Sequence, residues 1–94
     1  MYLYKFLDKY GKILYIGKTD ALKKRFYQHK KDKYWWKYVK RIEFALINKN
    51  LVDIYERYYI NFYNTIYNKK DTKIKYKEFN LKLLEWSEFD EGFI

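Results

Sequence analysis

Arg25 and His29 are the chemically richest pair in the chain, and they follow directly on Tyr15-Ile16-Gly17-Lys18-Thr19. On a helix from Ala21 to about Lys31, the i, i+3, i+4, i+7 spacing puts Leu22, Arg25, Phe26 and His29 on one face. Leu22 and Phe26 mark that face as inward. An inward arginine needs an anion or a carboxylate, because water normally solvates its charge. A phosphate suits its planar fork of donors. His29, one turn on, can donate a second hydrogen bond to the same group or move a proton. The same pair is also compatible with an Arg25–Glu56 ion pair and a surface histidine.

Glu56 is a carboxylate on a mostly apolar helix face, with Val52, Tyr59 and Ile60 as its helical neighbours. A buried carboxylate is costly unless paired or metal-bound. A hard cation such as Mg²⁺ accepts one carboxylate together with waters and phosphate oxygens; a salt bridge would serve the carboxylate equally. Tyr4 and Tyr15 fall on adjacent predicted strands and can face one cleft. A phenol, with its pKa near ~10, acts as a base only beside cations or when it passes its own proton onward. Lys18, Arg25 and a metal are the available cations; a plain core role is the alternative for either ring. There is no glycine-rich phosphate loop, no second histidine and no aspartate pair at useful spacing. Any chemistry therefore rests on Tyr, Arg, Glu, one His and any metal they hold.

The elements that must position these residues follow from local pattern. Tyr2 to Leu7 reads as a strand and Asp8 to Lys12 as a turn containing Gly11. Ile13 to Ile16 reads as the returning strand of a hairpin. Gly17 is expected to break that strand, with Thr19 or Asp20 capping the helix. Tyr34 to Val39 is a short helix or an extended aromatic segment, and Ile42 to Ile47 a third strand. Leu51 to about Tyr63 is a helix, apolar nearly all round, as for an element packed centrally. Asn64 to Thr72 reads as a polar loop. From Lys73 onward a short strand and a short helix are expected before the chain frays. With 94 residues and no linker or repeat, a single domain over 1–94 is expected, its core at about 2–68 and a C-terminal extension at 69–94.

Composition narrows the partners. The formal net charge is +9. Residues 23–41 hold nine Lys/Arg against Asp32 alone, a net of +8, while residues 78–94 hold five acids against Lys82, a net of −4. A concentrated basic segment points to nucleic acid, whose counterions it displaces; a solvated lysine-rich face is the plainer alternative. Lys18, Lys24, Lys30, Lys31 and Lys33 are the expected phosphate contacts. Aromatic residues make up 24% of the chain, with 13 Tyr, so many rings are expected half-buried with hydroxyls at a cleft edge. The absence of cysteine removes disulfides, thiolate zinc sites and cysteine nucleophiles. No apolar run approaches the ~20 residues of a membrane span, and Lys5, Asp8 and Lys9 interrupt any signal-peptide pattern. An intracellular, cytoplasmic protein with no membrane partner is the expectation.

These residues together resemble the GIY-YIG nuclease superfamily over about residues 2–68. The second signature is intact as Tyr15-Ile16-Gly17, and Lys18-Thr19, Leu22, Arg25 and His29 match its continuation. The first appears as Tyr2-Leu3-Tyr4, with only its tyrosine kept, eleven positions before Tyr15. Glu56, Ile60 and Tyr67-Asn68 match the later part of the pattern. Tyr2 stands where the family has glycine, Leu3 where it has isoleucine, and Ile66 where a proline is frequent.

The resemblance implies an α+β fold, a small three-stranded, mainly antiparallel sheet flanked by helices. It implies a divalent-metal-dependent endonuclease that hydrolyses DNA phosphodiester bonds with one Mg²⁺ or Mn²⁺. Under it, Tyr4 is the general base or relay, Tyr15 orients the phosphate or water, and Arg25 stabilises transition-state charge. His29 binds phosphate or assists proton transfer, Glu56 holds the metal, and Asn68 braces the site. One metal site cuts one strand, so a monomer or a transient dimer is expected. Two other classes remain open: a non-catalytic nucleic-acid-binding module, with Trp35 and Trp36 stacking bases, and a protein-interaction module on a nuclease fold.

Overall fold

The computed structural model describes residues 1–68 and 83–94. Strand β1, Tyr2–Leu7, runs into a turn whose geometry comes from Asp8 and Gly11. The Asp8 carboxylate accepts the main-chain N–H of Tyr10 and of Lys12, each at 2.9 Å. Gly11 adopts a left-handed φ of 79°, which costs glycine little. Strand β2, Ile13–Thr19, returns antiparallel to β1. Gly17 does not end this strand. It pairs with Tyr4 inside the ladder, because the missing side chain makes room for the Tyr4 ring.

The register of this hairpin shifts once. Phe6 pairs with Tyr15, and the next residue, Leu7, pairs with Ile13, leaving Leu14 as an extra residue. Such a bulge re-aims the side chains beside it. Here Leu14 and Tyr15 both join Tyr4 and Phe6, while Ile13 and Ile16 pack on the other side. The regular pairs Tyr4–Gly17 and Phe6–Tyr15 already put Tyr15 on the Tyr4 side; strict alternation would have put Leu14 on the opposite side, with Ile16.

Helix α1, Leu22–Asp32, begins after Ala21, not after a capping Thr19 or Asp20. Thr19 instead uses its hydroxyl to accept the Ala21 N–H at 3.1 Å, holding the turn before the helix. Residues Tyr34–Tyr38 form a 3₁₀ turn that buries Trp35 and Trp36. Strand β3, Arg41–Leu46, pairs with β1, and helix α2, Val52–Tyr63, follows a turn fixed by Asn48. Asn64 closes α2 in the left-handed conformation at φ 49°. Helix α2 buries one side only: Val52, Tyr55, Glu56, Tyr59 and Ile60. Ile54, Phe62 and Tyr63 are exposed, so this helix flanks the sheet instead of sitting central to it.

The fold is α+β with an antiparallel sheet in the order β2-β1-β3-β4. The fourth strand is only Ser87–Glu88, too short to show any alternation in sequence. It is fixed to β3 by the Arg41–Glu88 ion pair at 3.1 Å and by the Phe89 N–H donating to the Ile42 carbonyl at 2.8 Å. A 3₁₀ turn at Glu91–Phe93 follows, and the Phe93 ring packs on Phe26, Tyr27 and Trp36. Of the expected polar loop and tail, 69–82 lies outside the described residues.

Two apolar clusters form on the two faces of the sheet. Leu3, Leu7, Ile13 and Ile16 pack with Val52, Tyr59 and Ile60 of α2. Tyr4, Phe6, Leu14 and Ile42 pack with Phe26 of α1 and with Trp35 and Trp36. Among the described residues, no helix is long and apolar enough to cross a membrane.

Candidate active site

Tyr4 is the centre of the second cluster, and its ring is fully buried. Its outer end lies over Gly17. A Cβ on that glycine would stand 2.3 Å from both Cζ and Oη of Tyr4. The tyrosine-to-glycine pairing across the hairpin therefore brings the phenol oxygen out over edge strand β2, the strand against which α2 packs.

From α1, His29 reaches the same oxygen. Tyr4 Oη and His29 Nε2 are 2.8 Å apart in a buried hydrogen bond. The His29 pKa is pushed down to about 4, first by burial and then by the positive charges of Arg25 and Lys33. A neutral imidazole at physiological pH can accept the Tyr4 hydroxyl proton at Nε2 when the other nitrogen carries its hydrogen. Burial, and then the neighbouring Tyr15, raise the Tyr4 pKa well above its usual range, and the Glu56 carboxylate adds to this. Tyr4 is thus a protonated phenol with a ready acceptor.

Arg25 does not point inward as the helical stripe suggested; it is exposed. On the helix it stands at the edge of the stripe, about 40° around from His29 and about 100° from Phe26. That angle lets its guanidinium lie along the rim, where Nη1 donates to Gln28 Oε1 at 3.2 Å. Interaction with the Tyr4 hydroxyl, aided by Tyr15 and opposed by burial, raises the Arg25 pKa. The exposed Arg25 thus acts on the hydroxyl of the fully buried Tyr4.

Tyr15 is half-buried and forms the floor of an open cleft of about 600 Å³. Its ring lies 5.0 Å from that of His29 and stacks on Trp35 at 5.4 Å. Trp35 stacks in turn on Tyr67, at 4.8 Å and 8° between planes. Asp32, Lys33, Tyr34, Ile66 and Asn68 complete the wall. Asn68 braces the strand beneath. Its Oδ1 accepts the Ile16 N–H at 2.9 Å and its Nδ2 donates to the Ile16 carbonyl at 2.7 Å, while Thr65 donates its hydroxyl to the same Oδ1. The Tyr67 N–H donates to the Leu14 carbonyl at 3.3 Å. Residues 67–68 thus cover the open edge of β2 on both sides of Tyr15.

Glu56 is 3% exposed on α2 and lies close enough to Tyr4 for its charge to act on the phenol. No group of three or more His, Asp or Glu able to hold a metal occurs among the described residues. A metal at Glu56 would therefore draw its other ligands from water and substrate, which suits Mg²⁺. The lysines divide. Lys18 is ion-paired with Asp53 of α2. Lys30 donates to the Phe93 carbonyl at 3.2 Å. Lys24 and Lys31 are exposed on α1, and Lys33 lines the cleft.

Sequence reasoning missed the Tyr67–Trp35–Tyr15 stack that walls the cleft and the steric demand at Gly17. The run Tyr34-Trp35-Trp36 was the available signal for the first. Nothing in the sequence pairs it with Tyr67, 32 positions away from Trp35. A family model described as the GIY-YIG catalytic domain matches residues 1–89 of the chain. No curated protein and no solved structure matches it.

Proposed function

The chain belongs to the GIY-YIG catalytic-domain family, a nuclease-type fold, and from its cleft we propose a divalent-metal-dependent endonuclease acting on DNA phosphodiester bonds. The observation that carries this reading is the buried 2.8 Å bond from the Tyr4 hydroxyl to a neutral His29. A core tyrosine could satisfy its hydroxyl on any carbonyl. Here it is matched to the one imidazole of the sequence, which is neutral near pH 7 and so free to accept its proton.

In this reading Arg25 leaves the Tyr4 hydroxyl to bind the scissile phosphate, which uncovers Tyr4 Oη. A water donates a proton to that oxygen as it attacks phosphorus, and Tyr4 passes its own proton to His29 Nε2. The phenol never needs to become a free phenolate, which its raised pKa disfavours. The phosphate also offsets the Arg25 charge, one of the causes that depress His29, so substrate binding makes the acceptor more basic. Arg25 then stabilises the charge that builds on the phosphoryl oxygens. Tyr15 orients the phosphate from the cleft floor, and Asn68 holds the Tyr15 strand in place. Glu56 fits a single Mg²⁺ or Mn²⁺, which when bound polarises the phosphate and stabilises the leaving 3′-oxygen.

The test is plasmid nicking by the purified protein with Mg²⁺ or Mn²⁺, compared with Glu56→Ala and Arg25→Ala. Both variants are expected to lose cutting by at least ~10²-fold with unchanged circular dichroism. Absence of metal-dependent cutting on supercoiled, linear and branched DNA would replace this reading with that of a binding module.

A further inference from the structure

A second concave surface lies beyond the cleft, at the end of the sheet where β1 turns into β2. Lys9 and Lys12 come to it from that turn, Lys37 from the 3₁₀ turn and Lys40 from the residue before β3. They surround a hollow of about 420 Å³ together with Tyr10 and Tyr38. Four lysines from three separate segments thus line one hollow, and like charges gathered on one surface favour an anion among them. Asp8 is the one acid in the lining, and its Oδ1 already accepts two N–H groups of the turn. Among the described residues none of these four lysines makes an ion pair.

The hollow is also aromatic. Tyr10 is 81% exposed and Tyr38 48%. Lys9 lies over the Tyr10 ring at 5.0 Å and Lys37 over the Tyr38 ring at 5.3 Å. Charge and ring are thus presented together, as in sites that hold unpaired strands by phosphate contact and base stacking. In duplex DNA the base faces are already stacked inside the helix, out of reach of exposed rings. Ile66 and Tyr67 line both this hollow and the catalytic cleft, so the two are neighbours across one ridge.

We propose that the Lys9, Lys12, Lys37 and Lys40 hollow, with Tyr10 and Tyr38, holds an unpaired DNA strand that continues from the cleft over Tyr67. This rests on reading the cleft as the DNA-cutting site, and it makes the preferred substrate a junction of duplex and single strand. The stack of Trp35 on Tyr67 forms the ridge over which the strand passes, and Tyr34, 77% exposed, stands beside it.

The test is fluorescence anisotropy in EDTA, so that binding is measured apart from cutting. The probes are a blunt duplex and the same duplex carrying an unpaired tail of about ten thymidines. Wild type is expected to bind the tailed probe about tenfold tighter. The surface triple variant Lys12→Gln/Lys37→Gln/Lys40→Gln is expected to abolish that preference. It should also lower the salt slope on the tailed probe by about 2 while leaving blunt-duplex affinity within about twofold. Tyr10→Ala/Tyr38→Ala is expected to weaken tailed binding severalfold with no change in slope. Equal affinity of wild type for both probes overturns the proposal, as does an equal loss on both probes in the triple variant. A protein that shows the tail preference but never cuts would keep this inference and remove only the catalytic one.

Discussion

His29 is nearly inaccessible, at 2% exposure, and is held neutral with its pKa pushed down to about 4. In the unfolded chain it titrates near ~6.5. Between those two pH values the unfolded chain takes up a proton that the folded chain refuses. Stability therefore falls as pH falls through this window, by about 3 kcal/mol in total. Denaturant melts from pH 7 to pH 4 should show this loss in wild type and a shallower dependence in His29→Phe; equal slopes would mean that His29 is not buried neutral. The same residue makes a kinetic prediction. Tyr4→Phe and His29→Ala each remove one half of the proposed proton relay, so each is expected to lower kcat by about 10²–10⁴. Combined, they should lower it no further, because a broken relay cannot be broken twice. Additive losses in single-turnover assays would show that the two residues act separately.

At the scale of the elements, the hairpin decides the site. Tyr4 and Tyr15 share a face because the ladder pairs Tyr4 with Gly17 and Phe6 with Tyr15, and Gly17 leaves space for a phenol; the bulge at Leu14 adds that side chain to the same face. Gly17→Ala puts a methyl group against ring atoms that have nowhere to go. It is expected to cost about 1–3 kcal/mol and to reduce cutting at least ~10²-fold by tilting Tyr4. Gly11→Ala meets no atom within 4 Å but must keep φ at +79°, so it should cost about 1 kcal/mol with cutting intact. Thermal melts and cutting rates of the two variants separate steric from backbone demand. The hairpin, α1, β3 and α2 were legible from alternation, helical spacing and turn residues, each a local pattern. The bulge was not, since Ile13 to Ile16 reads the same with or without an extra residue. The edge position of Arg25 was lost for a related reason. Spacing puts a residue on a stripe, but only packing shows that Phe26 and His29 fill its centre. Strand β4 depends on Arg41 finding Glu88 across 47 positions of sequence, a pairing no local pattern carries. The expectation that Tyr4, Glu56 and Asn68 belong to one site came from the resemblance alone, because no local pattern links residues so far apart in sequence.

For the whole molecule, a formal net charge of +9 is not a uniform attraction for DNA, because the fold spends some of its cations internally. Lys5 is buried, bonded to Glu43 at 3.0 Å and placed 4.2 Å from the Trp86 ring centre. Arg41 bridges Glu43 and Glu88, and Lys18 is tied to Asp53. These charges hold β4 and α2 against the sheet. Lys24, Lys31 and Lys33 are exposed on or just after α1, the helix that carries Arg25 and His29. Neutralising one phosphate-contacting lysine reduces the duplex salt slope by about 0.9. Lys33→Gln should show that full reduction between 50 and 200 mM salt, whereas Lys18→Gln should show little beyond a loss of stability. A slope change as large at Lys18 as at Lys33 would mean that the Asp53 pair opens when DNA binds. The variant Lys24→Gln/Lys31→Gln should raise the DNA concentration needed for half-maximal cutting while leaving the single-turnover rate at saturation within about twofold. Arg25 sits on the same helix but in the proposed mechanism acts on the reacting phosphate, so Arg25→Ala should lower that saturated rate itself. The contrast tests whether α1 separates holding the strand from cutting it.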